Sequence, residues 1–269
     1  MQGGSSKSLR EILDKTSAVL SDGADAHKLG TDLFSLALSL DGSHSLRRAL
    51  TEPAVPPEAK VRLLHSLYDG KVSEASLDVA EVGVAQRWSR TRDFPDSLEQ
   101  ASVTAHSSVA DEAGQLDEVE DNLFRFARIL EASAGLREAL ADGTVPLQGK
   151  RSLLKNLVGE KVDETTATLL AQSVAGRHRS AGAALALYQR LAAAQRDRMI
   201  ATVWVASPLS DEHRERLAEA LAKQHDRKIH LNVVVDPSVL GGVRVAVGDE
   251  VLDSTVEARL KLAQRRLER

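Results

Sequence analysis

The stretch LFSLALSLDGSHSLRRALTEPAVPPEAKVRLLHSLYDGKV, residues 33–72, returns ninety positions later as LFRFARILEASAGLREALADGTVPLQGKRSLLKNLVGEKV, residues 123–162. Seventeen of these forty positions are identical without a gap, where average composition would give about 3. The matches include Leu33-Phe34 with Leu123-Phe124, Ser43 with Ser133, Val55-Pro56 with Val145-Pro146 and Lys60 with Lys150. They continue more thinly at Glu74/Glu164, Val84-Ala85/Val174-Ala175 and Arg87/Arg177. A self-match in one register over this length marks a structural unit made twice. The chain therefore divides into a first helical bundle, 8–94, a second bundle, 95–198, and a tail domain, 199–269.

Within the second copy, Leu116, Val119, Leu123, Phe126, Ala127 and Leu130 recur at spacings of three and four, the stripe of an amphipathic helix. Asp117, Glu118, Glu120 and Asp121 lie near its start, where negative charge complements the helix dipole. Ser133 is placed to cap a short helix over 133–141 that stops at Asp142-Gly143. Pro146 permits a fresh start, Leu153, Leu154, Leu157 and Val158 line the next helix, and Gly159 ends it. Further helices are expected over 163–177 and 181–198. The first copy repeats this plan, with first helices at 8–22 and 96–113 in the two copies. The run Arg92-Asp93-Phe94-Pro95-Asp96 reads as the junction between them.

From Met199 the period changes to two. Ile200, Thr202 and Trp204 alternate with Ala201, Val203 and Val205, as in a strand. Ser210, Asp211 and Glu212 open a helix to about His225, with Leu217, Ala220 and Leu221 facing inward. A strand over 228–235, a turn at Asp236-Pro237-Ser238, a strand from Gly241-Gly242 to Val247, a hairpin at Gly248-Asp249-Glu250 and a return at Val251-Leu252 follow. A basic helix closes the chain. The fold class is mainly α, two tandem multi-helix bundles followed by a small sheet with two helices.

Composition narrows the function. A net charge of −4 supplies no global field for nucleic acid. With no cysteine, thiolate metal sites and cysteine nucleophiles are excluded. No apolar run reaches the length of a membrane span, and Met1-Gln2-Gly3-Gly4-Ser5-Ser6 reads as a flexible start without a secretory signal. His106, His178, His213, His225 and His230 lack metal-ligand spacing, and His178, between two arginines, reads as solvated. Gly241-Gly242 is followed by a strand rather than by Gly-Lys-Ser/Thr and a helix, so it reads as a turn and not a phosphate cradle. Asp236, Asp249, Glu250 and Asp253 sit at turn and cap positions. Trp88 and Trp204 read as packing residues. Arg259, Lys261, Arg265, Arg266 and Arg269 are diluted by Glu257 and Glu268. No catalytic, cofactor or metal site is expected. A helical-repeat scaffold and a nucleic-acid-binding protein using the basic last helix are the alternatives.

The run from Val233 through Asp236-Pro237-Ser238-Val239-Leu240-Gly241-Gly242-Val243-Arg244-Val245, then Val247-Gly248-Asp249-Glu250-Val251-Leu252-Asp253, with Arg259 beyond it, closely resembles the C-terminal signature of the ATP synthase delta subunit family. The mitochondrial relative is the oligomycin-sensitivity-conferring protein. Ser133, Leu136-Arg137, Leu140, Val145, Lys150 and Leu153-Leu154 are similar to that family's helical bundle, and the Val205 to Ser210 junction matches its domain boundary. The usual member has one bundle. The duplication resembles the actinobacterial form, in which a delta region follows a b-like membrane helix. No such helix precedes Ser5, so the chain is either the delta part of such a fusion or lacks the fusion. Residues 96–113 also lack the family's Tyr-Ala and Leu-Phe pattern in the first helix.

The resemblance implies a non-catalytic peripheral-stalk subunit on the cytoplasmic side of the cell membrane, touching the membrane only through the complex and binding no nucleic acid. Its expected partners are the N-terminal helices of alpha subunits and the b-type stalk. By analogy, alpha helices dock between the first and fifth helices of a bundle, at Val103, Val109, Leu169, Leu170 and Val174 in the second copy and Leu9, Ile12, Val79 and Val82 in the first. The tail would face the stalk through Val203, Val205, Val233, Val235, Leu240, Val243 and Val245. Asp236, Pro237, Gly241, Gly242, Gly248 and Asp249 would be structural turn residues.

Overall fold

The computed structural model describes residues 3–159, 161–196, 198–225, 228–237, 239, 241–247 and 250–253. The chain forms two units, Met1–Gln195 and Arg196–Arg269.

Among the described residues of the first unit, every regular element is a helix. Its elements are α1 (Gly3–Ser21), α2 (Ala26–Gly42), α3 (His44–Thr51), α4 (Pro57–Tyr68), α5 (Glu74–Ala85), α6 (Asp93–Glu112), α7 (Leu116–Ala132), α8 (Ala134–Ala141), α9 (Leu147–Val158), α10 (Glu164–Ser173) and α11 (Ala181–Arg196). Both ends of α2, α3 and α4 reappear ninety positions on as the ends of α7, α8 and α9. Local chemistry recurs with them. Ser43 Oγ accepts from the Leu46 amide and Ser133 Oγ from the Leu136 amide, each at 3.3 Å, capping α3 and α8. The Arg47 guanidinium donates to the Leu40 carbonyl, and that of Arg137 to the Leu130 carbonyl.

The repeat extends to α6. Starts of α1 and α6 are ninety positions apart, and the same shift carries Phe94 and Leu98 of α6 onto Ala184 and Tyr188 of α11, all four fully buried. Thus α6 is the first helix of the second repeat and the closing helix of the first. Phe94, Leu98, Ala101 and Ala105 form one stripe and join the core of Ile12, Leu29, Leu33, Leu36 and Val79. Val103 and Ala110 join the other core, with Val119, Leu123, Leu169 and Tyr188. The expected boundary at 94/95 therefore falls in the first turn of a helix that belongs to both sides. Each fully buried leucine or phenylalanine here contributes about 1.5–3 kcal/mol over its exposed state.

Four local expectations are corrected. Helix α1 begins at Gly3 rather than in a flexible lead, because Ser5 is anchored: its hydroxyl donates to Asp93 Oδ2 at 2.6 Å and accepts from the Ser89 amide at 2.9 Å. Asp93 to Pro95 is not a junction but the first turn of α6. Proline is tolerated there, where the missing N–H has no intrahelical acceptor, and Phe94 stacks on Trp88 with ring centres 5.5 Å apart. Helix α10 stops at Ser173, short of Arg177. Gly176 then takes φ +78°, which turns the chain and frees Arg177 for the cluster described below. Helix α11 ends at Arg196, and a strand starts at Arg198.

The second unit holds β1 (Arg198–Val205), α12 (Asp211–His225), β2 (Lys228–Val235), β3 (Val243–Val247) and β4 (Glu250–Asp253). The sheet order is β2-β1-β3-β4. Strands β1 and β2 are parallel, joined by α12, while β3 is antiparallel to β1 and to β4. Val203 of the central strand pairs with Val233 on one side and Val245 on the other. Ala201, Val203 and Val205 point to one face and meet Leu221, Leu231 and Val245 in the core. Of the inward positions expected on α12, Leu217 and Leu221 pack there, but Ala220 is exposed, one residue round the helix from the buried stripe. Gly241 and Gly242 hold φ +65° and +83°, a conformation that explains both glycines. Ser238, Leu240, Gly248, Asp249 and the expected C-terminal helix lie outside the described residues.

Candidate docking surfaces

The first helix of the second repeat, α6, is covered by α2 of the first repeat, which reaches the fifth helix, α10, at its own start. At the start of α2, the His27 ring meets His106 of α6 edge-on, with centroids 5.3 Å apart. His27 Nε2 lies 3.5 Å from the Glu164 carboxylate, at the start of α10. One turn on, Gly30 lets the helices close: a Cβ there would stand 2.6 Å from the His106 ring. Ser102 Oγ donates to the Gly30 carbonyl at 2.6 Å. Gln172 Nε2 of α10 donates to Ser102 Oγ at 3.2 Å and reaches His106 Nε2 at 3.1 Å. Burial drives the His106 pKa from its ordinary 6.5 to about 4, with the neighbouring His27 pushing the same way. The imidazole in this joint is therefore neutral near pH 7.

At the far end of α2 the joint is charged. Arg177, on the connection between α10 and α11, donates to Glu99 Oε2 at 3.0 Å, Asp96 Oδ1 at 2.9 Å, the Ala37 carbonyl at 3.0 Å and the Asp41 carboxylate. Its own carbonyl accepts from the Arg92 guanidinium. Glu99 is served further by Tyr188 Oη at 2.6 Å and by His178 Nε2 at 3.0 Å. Burial raises the Glu99 pKa, but the His178 hydrogen bond, Arg177 and Tyr188 together outweigh it, so the carboxyl is held below its usual range. Asp96 is held above its usual range, by burial first, partly offset by Arg177 and Arg92. The Tyr188 phenol is pushed up by burial and by Glu99. One guanidinium thus binds α2 and α6 together through four hydrogen bonds that use all three of its nitrogens, the geometry for which arginine is suited.

The docking residues expected from sequence are placed as follows. Val103, Leu169, Leu170 and Val174 are buried in the second core, and Ile12 and Val79 in the first. Leu9, Val82 and Val109 are half-buried. In the tail, Val203, Val205 and Val245 are core, Val233 and Val243 pack against that core, and Val235 is exposed together with Val234 on the edge strand β2. Hydrophobic periodicity identifies an inward face but does not separate a residue filling its own core from one lining a groove.

The charged joint was not anticipated. His178, read as solvated, is drawn to Glu99 instead. The available signal was a break in the repeat: Glu99 and Gln172 stand where the first copy has Leu9 and Val82. Buried polar residues replace apolar ones where the second copy's groove is filled.

Among the described residues, no group of three or more His, Asp or Glu side chains is arranged to hold a metal ion. No described helix is long and apolar enough to cross a membrane. The family described as "ATP synthase delta (OSCP) subunit" matches residues 103–267. Proteins named ATP synthase subunit delta are similar over nearly the whole chain: one from Streptomyces griseus at 45% identity, covering 90% of each chain, one from Streptomyces coelicolor at 42%, covering 99% of this chain and 98% of that one, and one from Thermobifida fusca at 40%, covering 99% of each. With the duplicated helical unit, the Gly241-Gly242 turn and these matches together, the chain belongs to the ATP synthase delta (OSCP) subunit family.

Proposed function

We propose that this chain is a non-catalytic stator subunit of an F-type ATP synthase, on the cytoplasmic side of the cell membrane, holding the catalytic head to the b-type stalk so that the head does not turn with the rotor. In this reading an N-terminal helix of an alpha subunit lies in the groove between α1 and α5, and the tail domain meets the stalk through the exposed β2 edge at Val234 and Val235. The observation that carries the reading is the packing of α2 along α6, with His27 reaching Glu164 of α10. The equivalent groove one repeat earlier is α1/α5. There Leu9 and Val82 replace Glu99 and Gln172 and are half-buried, as suits the apolar stripe of an incoming helix. Such a joint depends on buried anchors and a slow off-rate rather than on chemistry.

Two measurements test it. Synthase membranes stripped of this chain should keep ATP hydrolysis but lose ATP-driven proton pumping, and adding the chain back should restore pumping. Peptides from the alpha N-terminus should bind the full chain, and Leu9→Glu or Val82→Glu should weaken binding by about ten-fold or more. Pumping that is indifferent to the chain would overturn the stator role. Binding that is indifferent to both substitutions would overturn the α1/α5 assignment.

A further inference from the structure

The opposite end of the helical unit carries a second unfilled half-joint, formed by α7 and α11. In the first repeat the matching cleft, between α2 and α6, is closed by Arg177 of the second repeat, which bridges Asp41 of α2 to Asp96 and Glu99 of α6. The matching cleft of the second repeat is a space of about 520 Å³. Phe124, at the place of Phe34, is 58% exposed where Phe34 is 3% exposed.

The chemistry of this cleft has changed sign. Ala186 stands where the first repeat has Asp96, Gln189 where it has Glu99, Arg128 where it has Leu38, and Arg179 where it has Ser89. Glu131 retains the acid of Asp41 but is paired with Arg128 at 3.1 Å. Gln189 Nε2 is buried there without a hydrogen-bond partner. The result is a floor of Phe124 and small alanines, which allows close approach of a backbone, rimmed by Arg128, Arg137 and Arg179.

We propose that the α7/α11 cleft docks an amphipathic helix of another polypeptide whose apolar stripe is flanked by acidic side chains. The apolar floor takes the stripe, as the equivalent cleft takes the second repeat. The arginine rim selects acids, whereas the acidic cleft of the first repeat selects an arginine. This surface is separate from the α1/α5 groove and does not rest on its assignment.

The probes are two labelled helical peptides of about five turns with the same Leu/Ala stripe, one flanked by glutamate and one by lysine. They are titrated against the full chain by fluorescence anisotropy. The glutamate peptide is expected to bind about ten-fold or more tighter than the lysine peptide. Phe124→Asp should cost about ten-fold with an unchanged far-UV circular dichroism spectrum, and Arg128→Glu with Arg179→Glu should reverse the preference. Equal affinity for the two peptides, no binding of the glutamate peptide, or an affinity that Phe124→Asp leaves unchanged overturns the proposal. So does loss of binding through Leu9→Glu instead, since that would place the peptide in the other groove.

Discussion

Arg177 and Glu99 form an ion pair closed to solvent on both sides, with side chains 2% and 1% exposed and Nε 3.0 Å from Oε2. The pair lies where α2 of one repeat crosses α6, which the two repeats share. Two buried charges repay their lost hydration only when every donor and acceptor is served, and here Asp96, Asp41, Ala37, His178 and Tyr188 serve them.

Removing one partner leaves the rest uncompensated. Arg177→Ala should destabilise the chain by about 3–5 kcal/mol, read as a lower urea midpoint. Arg177→Lys should rescue little, since an ammonium cannot reproduce the forked geometry. The repeat counterpart, Arg87, is exposed, and Arg87→Ala should stay within about 0.5 kcal/mol of the parent.

Tyr188→Phe deletes one hydroxyl without changing the packing. Its hydrogen bond goes to an ionised carboxylate, so the cost should be about 1.5–3 kcal/mol. The Glu99 contribution is present above the ordinary carboxyl range and is lost as pH falls through its depressed folded-state pKa. The gap between Tyr188→Phe and the parent should therefore narrow in acid, which urea titrations at several pH values will measure.

Gly30→Ala should cost about 1–3 kcal/mol through overpacking, because its Cβ would stand 2.6 Å from the His106 ring. Gly135→Ala meets nothing within 4 Å in α8 and should be neutral or stabilising by up to about 1 kcal/mol. Thermal melts should show a lower midpoint for Gly30→Ala and no loss for Gly135→Ala.

His106 makes the chain acid-sensitive. Its folded pKa of about 4 lies below its ordinary 6.5, so the unfolded chain binds the extra proton between these values. Its share of stability is full above 6.5 and falls as pH drops through that window, by on the order of 3 kcal/mol at most. His27 and Glu164 face the same joint. His106→Gln should flatten the pH dependence of the urea midpoint between pH 4 and 6.5.

The middle helices of each repeat were legible because the repeat supplied two readings of their boundaries, with Ser43 matching the Ser133 cap. The tail was legible because Ala201, Val203 and Val205, at alternate positions of β1, all enter the core. The double role of α6 was hidden by its chemistry. Ser97, Ser102, His106, Ser107 and Ser108 look like a solvated face, yet all are buried, because small hydroxyl residues and Gly30 let two helices meet closely. Arg177 was hidden likewise, as one more residue at the end of an expected helix.

A helix lodged in two cores sets a rule for shortening the chain. Excising one whole period keeps the helical phase, since α2, α3 and α4 reappear at the same offset as α7, α8 and α9. If residues 3–92 are removed, Leu98, Ala101 and Ala105 lose the cover that α1 and α2 gave them. A single-bundle descendant must therefore recolour that strip with polar residues or recruit a foreign helix to lie on it.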